Sequence, residues 1–240
     1  MQRLSPTDIE IAAEPLYGGV PATAGKVAVA CLPSGTRNTV VVTLGQSLAG
    51  NSAEGRYAAQ HDVVNFSLYD GRCYRAADPL LGAAGKAGNF ATRLGDVLVQ
   101  RRLAERVVLA PIAVGGTRVE HWSPGGVLHP RIRVLIRRLH DAGLRPDWIL
   151  WQQGESNGCD VDPGGQRYRD HLLEIIRTFR RYSIDAPFLI ALGAHCDAVR
   201  TGTVTVEKEG PSNSAGDFSV APRHLRCVVR FARPAKRARG

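Results

Sequence analysis

The chain has 240 residues, of which 44% are hydrophobic and 6% aromatic, with 26 Gly, 14 Pro and 5 Cys. That length suits one core-forming domain with tails, and the ordinary apolar content excludes wholesale disorder. No run of about 18 apolar residues is present, so no membrane-spanning segment is expected. The net charge of +9 is local, because residues 223 to 240 carry seven Lys/Arg and no acid. The rest holds 24 basic and 22 acidic residues. The body is nearly neutral and the basicity belongs to the tail.

Residues 1–10 lack an apolar run behind a basic start, so no secretory leader is read there and the default compartment is the cytoplasm. Residues 1–38 read as a Gly/Pro-punctuated lead-in with one candidate strand, Val27 to Leu32. Short apolar runs follow at Val40–Leu44, Val63–Leu68, Val107–Val114, Trp148–Trp151 and Phe188–Leu192. Each is typical of a strand buried on both faces. Helical periodicity fills the gaps: residues 91–104, then Ile132, Leu135, Ile136 and Leu139, then Leu172, Ile175, Ile176 and Phe179. Strands alternating with helices predict an α/β domain with a doubly wound parallel sheet over residues 39–210, followed by an atypical basic tail, 211–240. The five scattered cysteines show no metal-ligand spacing and read as buried free thiols of a reducing compartment, with no metal site.

Sites in such sheets lie at the carboxyl ends of the strands. Gly45-Gln46-Ser47 follows the first core strand. A serine there either caps a helix or meets a developing anion beside free backbone N–H groups. The residue two beyond it is Ala49, so the nucleophile elbow of α/β-hydrolases is not met. Gly115-Gly116-Thr117-Arg118-Val119-Glu120-His121-Trp122 follows the third strand, as a plain turn or as a close backbone approach to a ligand. Trp151-Gln152-Gln153-Gly154-Glu155-Ser156-Asn157 follows the fourth. Its amide suits an oxyanion and its carboxylate an orienting role, although a capping loop has the same composition.

Together these blocks resemble the SGNH-hydrolase superfamily, in its sialate O-acetylesterase-like branch, carbohydrate esterase family six, over roughly residues 40–195. The resemblance implies a three-layer, flavodoxin-like fold and a cofactor-free serine esterase that removes O-acetyl or other short acyl groups, on a carbohydrate or similar small ester. Ser47 would be the nucleophile. The N–H groups of Ser47 and Gly116 and the Gln153 amide would form the oxyanion hole, Glu155 would steady a histidine base, and Thr117 and Trp122 would touch substrate.

The chain departs from the branch at Leu48, where Asn is usual (Asn51 is nearby), and at Gln152, where the block has His. No Asp-x-x-His occurs. His224 has the right chain order, with Asp217 seven residues before it, and His195 is the other candidate. His121 and His129 read as loop residues, and His140 and His171 fall on helices. The charge step at the tail suggests that the native C-terminal block is missing or replaced. The alternative function is therefore a degenerate or truncated hydrolase that binds a glycan or ester without efficient turnover. Nucleic-acid binding through the tail is not expected, because Phe231 is the sole Phe, Trp or Tyr of the basic stretch 223–240.

Overall fold

A computed structural model describes residues 22–158, 162, 165–191 and 230–231. One mixed sheet runs through it, with strands β1 (Ala28–Val29), β2 (Asn38–Gly45), β3 (Val63–Phe66), β4 (Cys73–Arg75), β5 (Arg106–Pro111), β6 (Trp148–Gln152), β7 (Phe188–Ala191) and β8 (Arg230–Phe231). The helices are α1 (Phe90–Gln100), α2 (Val119–Trp122), α3 (His129–Asp141) and α4 (Gln166–Arg181). The five core strands and three long helices fall where the apolar runs and periodicity predict them. The candidate strand at 27–32 shortens to Ala28–Val29. The short strand β4 and helix α2 have too few residues to show a period, and neither is predicted.

The sheet order is β1-β4-β3-β5-β2-β6-β7-β8. Strands β3, β5, β2, β6 and β7 are mutually parallel, and antiparallel pairs close both edges. The two blocks that follow β5 and β6 therefore flank the one that follows β2. Chain order alone does not give that arrangement, since β3 and β4 intervene between β2 and β5.

Alternation along the strands splits the core in two. Val40, Val42 and Leu44 of β2 pack with Val108 and Ala110 of β5 and with apolar residues of α2, α3 and α4. Val41, Val107 and Leu109 face the other way, against Ala91, Leu98 and Val99 of α1. Both faces are therefore dry, which explains strands that read as unbroken apolar runs. Each fully buried Val or Leu contributes roughly 1.5–3 kcal/mol. Helix α1 starts where the Asn89 side chain accepts from the Ala91 N–H, and Pro130 occupies the first turn of α3.

The cysteine expectation is corrected. Cys31 and Cys73 form a disulfide, with Cα atoms 5.2 Å apart. The free-thiol reading failed because their separation of 42 residues resembles no familiar spacing. Only the antiparallel pairing of β1 with β4, with Val29 opposite Cys73, brings them together. Cys159, Cys196 and Cys227 lie outside the described residues. No helix among the described residues is long and apolar enough to cross a membrane.

Closing a loop of this length removes chain entropy worth roughly 4 kcal/mol from the unfolded state. Reduction, or the Cys31→Ser/Cys73→Ser double variant, is expected to lower Tm by on the order of 10 °C in calorimetry. Thiol titration of the denatured chain before and after reductant should differ by two groups.

Candidate active site

At the end of β2 the backbone turns sharply. Gly45 has φ +134°, and a Cβ there would lie 1.8 Å from the Gln152 carbonyl oxygen. Only glycine allows this approach. It lets the Gln46 N–H donate to Gln152 O at 2.9 Å, so the ends of β2 and β6 are stitched together. Ser47 then opens a single 3₁₀ turn, Ser47–Ala49. Its carbonyl accepts from the Gly50 N–H and from the Ser52 hydroxyl. Its own hydroxyl has no hydrogen-bond partner among the described residues.

Gly115 lies against this serine, 4.0 Å from the Ser47 Cβ to the position its own Cβ would take. Gly116 adopts φ +69° with open space around it. The N–H groups of Ser47, Gly115 and Gly116 have no acceptor among the described residues. The structure thus gathers a free hydroxyl and a set of free donors at adjacent strand ends. Asn51, in place of the asparagine usual after the serine, is buried beneath them. Its amide donates to Leu80 O and Ala83 O and accepts from Leu80 N, which pins the 80–89 loop under the turn.

The block after β6 is an amide network. Gln153 is 2% exposed. Its Nε2 donates to Thr117 O (3.0 Å), Asn157 Oδ1 (2.8 Å) and Gln46 Oε1 (3.2 Å). Two N–H groups therefore serve three acceptors. Asn157 Oδ1 also accepts from the Val119 N–H, and its Nδ2 donates to Glu120. Gln152 donates from Nε2 to Glu155 Oε1 at 2.7 Å. Gln152 Oε1, Gln153 Oε1 and Glu155 Oε2 are buried without any donor among the described residues. The site thus offers acceptors as well as donors.

The remaining predicted residues separate. Thr117 is 6% exposed and Trp122 is fully buried. The Trp122 indole N–H donates to Thr117 Oγ1, which itself donates to Val114 O, and the ring stacks edge-on against Trp151 at 6.3 Å. Both side chains expected to touch substrate face inward. His224 and His195 lie outside the described residues, as does Asp217. The described histidines are engaged elsewhere: His61 with Asp96, His121 with the Arg118 N–H, His129 with Trp122 O, His140 with Asp141 and His171 with Ser123. Among the described residues no group of three His, Cys, Asp or Glu could hold a metal ion.

Burial works to raise the Glu120 carboxyl, but the Asn157 amide, its own backbone N–H and Arg118 outweigh it and hold it below the usual carboxylate range. For Tyr168, burial pushes the phenol far above its ordinary value, against the Trp151 indole N–H, with the charges of Glu155 and Glu120 adding to the rise. It stays protonated and donates to Gln153 O at 2.8 Å while accepting from Trp151 Nε1. Sequence reasoning missed Tyr168, Gln46 and Asn157, since no spacing marks a side chain that reaches across from another element.

The model of a family described as carbohydrate esterase, sialic acid-specific acetylesterase, matches residues 40–209. The chain belongs to that family. Among solved structures, a protein from Arabidopsis thaliana is 20% identical and matches 65% of this chain and 73% of its own, with a TM-score of 0.51. The chain therefore shares that protein's fold. NanS (17% identity, 66% and 68% coverage, TM-score 0.46) and a carbohydrate acetylesterase from Xanthomonas citri (18%, 63% and 41%, 0.42) are also similar. No relative is found among curated proteins.

Tyr168 supports the Gln153 loop through its hydroxyl, which donates to Gln153 O. Tyr168→Phe leaves a buried indole N–H and the Gln153 carbonyl without partners, a loss of about 2 kcal/mol. Urea unfolding should show a lower midpoint with an unchanged m-value.

Proposed function

We propose that this chain is a serine esterase that hydrolyses O-acetyl esters of carbohydrates. The observation that carries this reading is the unpartnered Ser47 hydroxyl on a turn that lies against Gly115, where the N–H groups of Ser47, Gly115 and Gly116 have no acceptor among the described residues. Gly115 and Gly116 are exposed and Ser47 is half-buried, so these N–H groups are open to a ligand oxygen that bears charge. Family membership supplies the acetylated carbohydrate. We read the domain, residues 39–210, as a three-layer flavodoxin-like SGNH fold, with 1–38 as a lead-in and 211–240 as a basic tail. No cofactor takes part in the reaction we propose.

Ser47 Oγ attacks the acyl carbon while a histidine takes its proton, and the carbonyl π electrons move onto oxygen. The oxyanion hole is formed by the N–H groups of Ser47 and Gly116 with the side-chain amide of Gln153. Collapse breaks the ester C–O bond, and the sugar alkoxide leaves with the proton from the histidinium. Water then attacks the acyl-enzyme by the same route and releases acetate. The base is His224, with His195 as the alternative. Glu155 suits the third role, because its Oε2 is a buried acceptor without a donor among the described residues and can take an imidazole N–H. Thr117 and Trp122 hold the glycine turn beneath the substrate. The Cys31–Cys73 bond favours an oxidising compartment over the default cytoplasmic assignment.

A second reading, a degenerate hydrolase that binds its ester without efficient turnover, is favoured by one observation. Every described histidine is engaged away from Ser47. Fluorophosphonate labelling followed by peptide mass spectrometry separates the two readings. The expected result is a modified Ser47 that disappears in Ser47→Ala, with labelling at least 10³-fold slower in His224→Ala. An unlabelled Ser47 beside a reactive control esterase would refute the turnover reading.

A further inference from the structure

As a donor in the oxyanion hole, Gln153 has to present nitrogen to the substrate rather than oxygen. The two ends of its amide are nearly the same size, so packing does not choose between them. Solvation does not favour the observed choice either, because Oε1 is left buried without a donor among the described residues. The acceptors around the nitrogen decide. Nε2 donates to Asn157 Oδ1 at 2.8 Å, to Thr117 O at 3.0 Å and to Gln46 Oε1 at 3.2 Å. Turned over, the amide would set its own oxygen against these three. Thr117 O is a backbone carbonyl and can only accept. Gln46 and Asn157 are themselves amides, so each helps only while something holds its oxygen toward Gln153. For Gln46 that is the Ser156 N–H, at a long 3.2 Å.

Asn157 is held at both ends. It is 6% exposed, and its Oδ1 accepts from the Val119 N–H at 2.9 Å. Its Nδ2 donates to the Glu120 carboxylate, 3.0 Å from Oε2 and 3.4 Å from Oε1. An N–H only donates and a carboxylate only accepts, so Asn157 cannot turn over without two repulsive contacts. Its bond is also the shortest that Gln153 makes. Resting on the esterase reading, we infer that Asn157 and Glu120 are positioning residues of the oxyanion hole. Glu120 holds the Asn157 nitrogen, Asn157 turns its oxygen to Gln153, and Gln153 keeps its nitrogen toward the acyl oxygen. The two Gln153 N–H groups serve three acceptors, so at least one is shared, and a shared N–H is the one an acyl oxygen draws most easily. In these roles neither Asn157 nor Glu120 touches substrate. What the pair supplies is orientation set before the reaction, so that no dipole has to turn as charge develops on oxygen.

An exchange of amide and carboxylate tests the assignment. Asn157→Asp keeps an acceptor for the Val119 N–H and for Gln153 but sets a second carboxylate against Glu120. Adding Glu120→Gln restores a donor–acceptor pair with the two groups exchanged. With 4-nitrophenyl acetate as substrate, Asn157→Asp is expected to lower kcat roughly 10–10²-fold, less than the loss of a whole oxyanion donor, with KM changed less than about threefold. The double variant Asn157→Asp/Glu120→Gln should recover to within about fivefold of wild type, because the two groups belong to one network. A merely structural role would give losses that add. A double variant no more active than Asn157→Asp, or an Asn157→Asp loss confined to KM, overturns the inference. If substitution at 157 unfolds the chain, which thermal melting reveals, the half-buried Glu120 carries the comparison. Glu120→Gln, which still accepts from Asn157, is expected to keep kcat within about threefold, whereas Glu120→Leu should lose roughly tenfold or more. Equal kcat in these two variants overturns the inference as well. Wild-type chain that fails to label at Ser47 with fluorophosphonate refutes the esterase reading itself, and this inference with it, before any variant is compared.

Discussion

The approach of Gly45 to the Gln152 carbonyl is the constraint on which the site depends. Two parallel strands normally diverge as they leave the sheet, because each must turn toward its own helix. Here the missing Cβ lets Gly45 pair with Gln152 at the last position of the ladder, where the Gln46 N–H bonds Gln152 O, and the strand ends stay together up to the residue before Ser47. Ser47 and the Gln152–Asn157 block are consequently held at a fixed separation. The glycine turn after β5 closes the third side, because β5 is the other neighbour of β2.

Around that stitch the protein accepts a buried polar network whose members are aligned by backbone groups. Such a network is costly when half satisfied, since each lone buried acceptor forfeits its hydration. Gln152 Oε1, Gln153 Oε1 and Glu155 Oε2, three side-chain oxygens without a donor among the described residues, share the one block that follows β6, and the free donors belong to the turns beside it. Three such acceptors within four residues at a strand-end crevice call for a ligand or a further partner there. Inward-facing Trp122, Thr117 and Tyr168 give the loops a rigid floor, so the unsatisfied atoms cannot relax by turning toward one another.

Far from this crevice, the disulfide and the antiparallel edges serve a different need. The lead-in strand β1 is two residues long and cannot hold its place by pairing alone. A covalent tie from Cys31 to Cys73 fastens it to β4. Stability at the edge and reactivity at the strand ends are thus supplied by separate devices.

Much of this was legible in the chain. Runs such as Val40–Leu44 and Val107–Ala110 announce strands covered on both sides, and the periodicity of Ile132 to Leu139 and of Leu172 to Phe179 announces their helices, because burial imposes those periods directly. The three blocks at strand ends were legible as well, since glycine beside a polar side chain after an apolar run has few structural uses. Tertiary structure alone decided which oxygen or nitrogen of Gln46, Gln153 and Asn157 faces which neighbour, that Trp122 turns inward, and that Cys31 meets Cys73. Each of these depends on contacts between elements far apart in the chain. An amide has two nearly isosteric ends, and only the Ser156 N–H, the Thr117 carbonyl and the Val119 N–H, delivered by three different loops, choose between them.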